Sequence, residues 1–327
     1  MNEKFGRMWT ALTWIVAIAL LGSGCASPAK PKTYTIGVIN LSPSLEDTLS
    51  GFKQGMTSLG YVEGKNVTYI YTGPVGTIDK LGGVAQNLVN ANVDLIFSIS
   101  TPATQAAKKA TASNNIPVVF GVLTDPVGAG VVASLTQPGG NVTGITFGPQ
   151  EVRRLEWFTK IDPAVKRLFI MYNPNDSSAV SAFKTASATA ANLGLVIVPQ
   201  KVNDANSIAA ALASLPENID AIYLLPDSLT GSKQADIITA ANAHRLPVAA
   251  PNVDSVSTGP LYSYAMKQVP TGQEAARMAD QILKGTKPAD LPVETTEFFL
   301  AINLKTAQAL GLTIPDSVLS QADTIIR

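Results

Sequence analysis

Two patterns of apolar and polar residues alternate along this chain. Short runs rich in β-branched residues, such as residues 35–40 (TIGVIN), have the composition of buried strands. The segment after this first run has apolar residues at helical spacing, namely Leu45, Leu49, Phe52 and Met56. Alternation of this kind predicts an α/β protein in which helices cover both faces of a doubly wound parallel sheet.

The alternation runs through two rounds, which predicts two similar lobes. The first round covers residues 35–146 and includes a short predicted helix at 129–135, and the second covers residues 167–250. The tail adds a helix, a strand and a further helix over residues 271–310. This is one β–α unit more than two closed lobes need. We therefore expect the chain to cross between the lobes more than once, so that the crossings form a hinge.

Residues 1–24 have the pattern of a signal peptide. Two basic residues precede an apolar run of 13 residues, shorter than the about 20 that a membrane-spanning helix needs. Small residues then lead to Cys25, as in the bacterial lipobox, although Gly22 stands where that motif usually has Leu. We expect cleavage before Cys25, lipidation of its thiol and a short tether over residues 25–33. The alternative is a secreted protein with a free cysteine near its start.

Composition narrows the classes of function. The chain has 24 Lys and Arg against 24 Asp and Glu and a pI near 6.6, which argues against nucleic-acid binding. With one Cys and one His it has no CxxC or His-pair motif, so we expect neither a metal nor a cofactor. Residues 128–133 formally fit GxGxxA but do not directly follow the first strand, and His244 suits the end of a helix. Both are interpreted as structural.

Polar residues follow the predicted strands at the points where the strands end. In open parallel sheets, ligands bind beyond the carboxyl ends of the strands, and two lobes would make two sets of ends face each other. The same residue types are the usual helix caps, so capping remains the alternative for each. The candidate ligand-binding residues are Asn40, Ser42, Ser100, Thr101, Thr104, Asp125, Asn173, Ser177, Ser178, Asp227 and Ser228.

Some of these residues suit the two charges of an amino acid. Pro102 fits a first helical turn, so Ser100 or Thr101 caps a helix whose free N–H groups make a seat for a carboxylate. In the second lobe, Ser177 and Ser178 are expected to form the equivalent carboxylate-binding site. Asp227 closes a strand and is positioned to accept a ligand ammonium group. Asp125 has the same position on the first lobe, but its TDPVG context favours a role in fixing the turn.

Four stretches of the chain resemble one known family. They are residues 51–67 (GFKQGMTSLGYVEGKNV), 100–111 (STPATQAAKKAT), 115–144 (NIPVVFGVLTDPVGAGVVASLTQPGGNVTG) and 282–315 (ILKGTKPADLPVETTEFFLAINLKTAQALGLTIP). In this order they are similar to the ABC-transporter substrate-binding lipoproteins, the family that includes predicted tryptophan-binding proteins. The resemblance implies the periplasmic-binding-protein type I fold, with two α/β lobes, three crossings and a ligand cleft between the lobes.

The resemblance also leads to expected limits for the two lobes. Lobe 1 is expected to comprise residues 34–147 and 256–288, and lobe 2 residues 148–255 and 289–327. In the type I fold the segment after the third crossing returns to the second lobe, which accounts for the additional β–α unit of the tail.

Two classes of function then compete. One is an extracytoplasmic receptor, expected to be a lipid-anchored monomer, that closes on a small solute and delivers it to a separate ABC permease and its ATPase. The other is an envelope-anchored enzyme on a doubly wound fold. The sequence contains no GxSxG nucleophile motif and no GxxxxGK[ST] nucleotide loop, which favours the receptor. Relatives suggest an amino acid as the solute, aromatic in the tryptophan-type members.

Overall fold

Residues 32–148 and 150–327 are described by the structure, which is a computed structural model. Residues 34–327 form one compact unit. The predicted signal peptide, Cys25 and most of the predicted tether lie outside the described residues. Within the described ranges, none of the helices combines the length and the apolar character that crossing a bilayer requires.

The first lobe is built on a parallel sheet with the strand order β2-β1-β3-β4-β5-β11. Every residue of β3, β4 and β5 is buried, because helices cover both faces of these strands. The strands are β1 (Tyr34–Asn40), β2 (Val67–Ile70), β3 (Leu95–Ile99), β4 (Val118–Leu123), β5 (Val142–Thr146) and β11 (Glu294–Thr295), and the helices are α1 (Glu46–Ser58), α2 (Leu81–Asn90), α3 (Thr101–Ala110) and α9 (Gln268–Leu283).

Helix α9 comes from late in the chain but packs on α1 of the first lobe. The two backbones approach closely at two glycines. A Cβ atom at Gly272 would lie 2.1 Å from the carbonyl oxygen of Thr48, and one at Gly51 would lie 2.1 Å from that of Val269. Only glycine permits this approach, so the pair holds the late segment against the first lobe.

The second lobe has the strand order β13-β12-β10-β9-β8-β6-β7. Its strands pair in parallel except β10 and β12, which are antiparallel. The strands are β6 (Arg167–Tyr172), β7 (Val196–Lys201), β8 (Ala221–Tyr223), β9 (Val248–Ala250), β10 (Tyr262–Ala265), β12 (Phe299–Asn303) and β13 (Thr324–Ile326), and the helices are α4 (Glu151–Ile161), α5 (Ser177–Asn192), α6 (Ala205–Ala213), α7 (Ser228–Ser232), α8 (Gln234–Ala243), α10 (Leu304–Leu310) and α11 (Asp316–Leu319).

The described chain passes between the two sheets three times: after β5, after β10 and after β11. The expectation of several crossings agrees with this path. Strand pairing refines the expected lobe limits at two points. β10 lies in the second sheet although it falls within residues 256–288, and β11 lies in the first sheet although it falls within residues 289–327. Their partners are distant in sequence, so local pattern alone does not place them; the remaining limits stay a prediction.

The prediction of a helix at residues 129–135 is wrong. The chain forms turns there instead, and Gly130 adopts a left-handed φ of 66°. The Oδ1 atom of Asp125 accepts a hydrogen bond from the N–H group of Gly128 at 2.8 Å. These turn contacts break the helical pattern that the apolar spacing indicated.

Candidate ligand-binding site

A cavity lies between the two sheets. Its walls come from turns at the carboxyl ends of strands of both lobes and from two of the crossings. It is lined by Ser44, Leu45, Ser100, Thr101, Val122, Phe147, Gln150, Asp176, Ser178, Pro226, Asp227, Ser228, Gly231, Pro251, Asn252 and Met266.

The first lobe contributes the start of α3 to this cavity. Ser100 has a φ of 104°, an uncommon conformation for a residue with a side chain, and forms the sharp turn between β3 and α3. Its Oγ atom accepts only a long bond, 3.4 Å, from the N–H group of Ala103. The Oγ1 atom of Thr101 is buried and has no hydrogen-bond partner within the described chain. The positive end of a ten-residue helix therefore meets the cavity beside an unpaired hydroxyl group.

The second lobe contributes two buried carboxylates. Asp176 is the N-cap of α5 and is 1% exposed, and Asp227 is the N-cap of α7 and is 5% exposed. The Oδ1 atom of Asp227 accepts bonds from the N–H groups of Leu229 (2.8 Å) and Thr230 (3.2 Å), and its Oδ2 atom accepts a short bond from that of Asn173 (2.6 Å). The Oδ1 atom of Asp176 accepts from Ser178 at 2.9 Å, but its Oδ2 atom has only a long bond, 3.4 Å, from Ser228. Asp176 thus keeps acceptor capacity for a ligand.

The two carboxylates disfavour each other's ionisation. Burial raises the pKa of Asp176 to about 7, and the nearby charge of Asp227 adds to this increase. Burial also raises the pKa of Asp227, against the effect of the three backbone N–H groups that donate to it. The two groups titrate as a pair. A cation placed between them would favour the ionised forms, so this end of the cavity suits an ammonium group.

Hydrogen bonds cross the cleft beside the cavity. The hydroxyl groups of Thr124 in the first lobe and Ser178 in the second are 2.5 Å apart. The hydroxyl group of Ser177 donates to the Oε1 atom of Gln105 at 3.2 Å. These contacts join the two lobes directly beside the cavity.

The rest of the wall is largely apolar. Leu45, Val122, Phe147 and Met266 contribute buried side chains from the first lobe and the crossings. The Oε1 atom of Gln150, at the first crossing, is buried there without a hydrogen-bond partner within the described residues. Among the described residues, no group of three or more His, Cys, Asp and Glu side chains could hold a metal ion.

The structure places the predicted site residues in four groups. Those that line the cavity are Ser100, Thr101, Ser178, Asp227 and Ser228. Asn173 and Ser228 line the mouth of the cleft, and Asp125 lies on a separate groove on the far side of the first crossing. The remaining residues make local or cross-lobe bonds beside the cavity: Asn40 to Glu46, Ser42 to Ser44, Thr104 to Ser98 and Ser177 to Gln105.

Sequence reasoning missed one carboxylate and the hinge residues. Asp176 lies one position before the predicted serine pair, and its capping role hid its second, freer oxygen. Phe147, Gln150 and Met266 lie at crossings rather than at strand ends, so the strand-end rule does not reach them. A search for every acidic N-cap following a strand would have found Asp176 from the sequence.

Two parallel-sheet lobes, three crossings and a cavity between them define the periplasmic-binding-protein type I fold. The chain belongs to the family of ABC transporter substrate-binding proteins, whose sequence profile matches residues 35–326. The predicted fold class and the predicted receptor class are therefore confirmed. The proteins of this family serve transporters, which favours the receptor over an envelope-anchored enzyme.

Named relatives support the same assignment. A tyrosine-binding protein from Clostridioides difficile is 30% identical over 86% of this chain and 82% of its own length. An ABC domain from Streptococcus pneumoniae in complex with L-Trp is 30% identical, with a TM-score of 0.85 over 90% of this chain and 100% of that chain. A conserved domain protein from Vibrio cholerae is 32% identical, with the same TM-score and the same coverage of both chains.

A fourth relative has been solved in a ligand-free, open form. A substrate-binding protein with adhesive properties from Clostridium difficile, in a ligand-free, open structure, is 26% identical and covers 90% of this chain and 99% of that chain. Its TM-score is 0.65, against 0.85 for the L-Trp complex. The fold described here therefore superposes better on the L-Trp complex than on the ligand-free, open structure.

Proposed function

We propose that this protein captures a zwitterionic aromatic L-amino acid by closing its two lobes around it, and delivers it to an ABC permease. The observation that carries the proposal is that one cavity offers a binding site for an anion and a binding site for a cation. A helix start with an unpaired hydroxyl group faces the cavity from one lobe, and two buried carboxylates face it from the other. Such a pair of seats matches the two charges of an amino acid.

The carboxylate of the solute would bind at the start of α3. The N–H group of Thr101 and the Oγ1 atom of the same residue are the donors that remain for an anion there. The ammonium group would bind at Asp176, whose Oδ2 atom has spare acceptor capacity, with Asp227 adding its charge. This differs from the sequence-based hypothesis, which gave the ammonium group to Asp227, because the oxygens of Asp227 already accept three backbone bonds.

The side chain of the solute would lie against the apolar wall. Phe147 and Met266 can pack against an aromatic ring, and Leu45 and Val122 extend the same surface. The relatives named as tyrosine-binding and as an L-Trp complex support an aromatic side chain.

The location of the protein follows from the family and from the N-terminal sequence. Substrate-binding proteins of ABC transporters work outside the cytoplasm. We infer further that the chain is a monomer held at the membrane by a lipid on Cys25, after removal of residues 1–24 as a signal peptide. The support for this part is the sequence pattern alone.

Calorimetric titration with matched ligand analogues tests the proposal. L-Tyr, L-Trp and L-Phe are compared with tryptamine, which lacks the carboxylate, and with indole-3-propionate, which lacks the ammonium group. We expect at least one aromatic L-amino acid to bind. Both truncated analogues should bind at least roughly tenfold more weakly, because each lacks one of the two charged groups that the cavity binds. Tight binding of either truncated analogue, or no binding of any aromatic amino acid, would refute the proposal.

A further inference from the structure

Gln150 has a side-chain amide that nothing in the fold uses. Its main chain is held at the start of α4, where its N–H group donates to Gly148 and its carbonyl group accepts from Arg154. The side chain is buried, at 4% exposure, and its Oε1 atom has no partner among the described residues. A buried amide oxygen is costly to leave unpaired, and Gln150 is one of the residues that line the cavity, where a ligand can supply the missing partner.

The position of Gln150 along the cavity shows which part of the ligand it meets. Asp176 and Ser228 line both the cavity and the mouth of the cleft, so they mark one end. Phe147 and Gln150 line both the cavity and the groove beyond the first crossing, so they mark a different end. A ligand whose ammonium group binds Asp176 therefore directs its side chain toward Phe147 and Gln150.

We propose that Gln150 determines specificity by accepting a hydrogen bond from a polar hydrogen on the aromatic ring of the solute. This inference rests on the proposed function. An amide oxygen accepts equally from a phenol O–H and from an indole N–H, whereas a phenyl ring offers neither and leaves Oε1 unpaired. Sites built to hydrogen-bond a substrate group reject the analogue that lacks it. The receptor therefore favours tyrosine or tryptophan over phenylalanine.

The test uses two ligand pairs that differ by one donor: L-Tyr with L-Phe, and L-Trp with 3-(3-benzothienyl)-L-alanine, in which sulfur replaces the indole N–H. We expect the wild type to bind the donor-bearing member of at least one pair roughly five- to tenfold more tightly. Gln150→Met keeps an unbranched side chain of similar length but removes the amide. In this variant the same ratio should fall to about one, and L-Phe should bind at least as tightly as it binds the wild type, because no unpaired oxygen remains.

Gln105→Met is the matched control. The amide of Gln105 bonds Ala129 and Ser177 beside the cavity rather than lining it, so this change should alter all ligands by one common factor. A wild type that does not discriminate within either pair would overturn the inference, whether or not the Gln150 variant folds. A Gln150→Met variant that keeps the ratio, or weakens every ligand alike, would also overturn it. Failure of the wild type to bind any aromatic amino acid would instead refute the proposed function.

Discussion

The change Asp176→Asn should separate ligand binding from folding. The asparagine keeps an Oδ1 acceptor for the N–H group of Ser178, so the cap of α5 persists, but it removes the negative charge at the proposed ammonium seat. The loss of a charged hydrogen bond costs about 1.5–3 kcal/mol. We therefore expect the affinity for the amino acid to fall roughly 10- to 150-fold.

Although Asp176→Asn should lower the affinity, it should raise the stability of the unliganded closed form. Raising the pKa of Asp176 from 3.8 to about 7 corresponds to a cost of at most about 4 kcal/mol for the ionised group. Because the pKa is raised in the folded form, the stabilising contribution of the protonated group is complete below about pH 4 and is lost as the pH rises through about 7. Asp176→Asn removes this dependence, so the variant should be at least as stable as the wild type at pH 8.

The same pKa predicts a pH-dependent affinity. An ammonium group favours the ionised carboxylate, so binding releases a proton when the pH is below about 7. The affinity of the wild type should then fall by up to about tenfold for each pH unit below 7, whereas the variant should show a much flatter profile. Calorimetric titration between pH 5 and 8, in two buffers of different ionisation enthalpy, measures both the affinity and the proton release.

Asp227→Asn is the matched control for this experiment. It places an amide donor among three backbone N–H donors, so it should lower the free energy of unfolding by about 1–3 kcal/mol. If Asp176→Asn binds as tightly as the wild type, or if the affinity of the wild type does not change between pH 5 and 8, the ammonium group binds elsewhere.

Three further predictions concern closure, packing and anchoring. Thr124→Val removes the hydroxyl group that meets Ser178 across the cleft, so all ligands should bind roughly 3- to 10-fold more weakly; an unchanged affinity would show that this bond does not hold the closed form. Gly272→Ala should cost about 1–3 kcal/mol of stability because α9 packs directly on α1, whereas Gly82→Ala in the open part of α2 should cost nothing, as thermal unfolding would show; equal melting temperatures would contradict this. Cys25→Ser should abolish lipid modification and release the protein from membranes, and a wild type found only in the soluble fraction would argue against the anchor.

The local pattern of the sequence was enough to predict the class of fold and to name some residues that line the candidate cavity. Alternating β-branched runs and helical apolar spacing predicted the parallel strands that build both lobes. The strand-end rule reached Ser100, Thr101 and Ser178 because it depends only on chain direction and not on long-range pairing. The additional unit of the tail likewise predicted several crossings, since its strand could not be accommodated within two closed lobes.

Only the tertiary structure shows which contacts the residues of the candidate site make. Asp176 and Asp227 look alike in sequence, as acidic caps after strands, but three backbone donors engage Asp227 and leave Asp176 the freer oxygen. Gln150 and Met266 belong to crossings whose partners are remote in sequence, so no local pattern marks them as cavity residues. β10 joins the second sheet through its pairing with β9 and β12. Propensity and periodicity report on neighbours along the chain, whereas hydrogen-bond partners and cavity walls depend on segments that only the folded chain brings together.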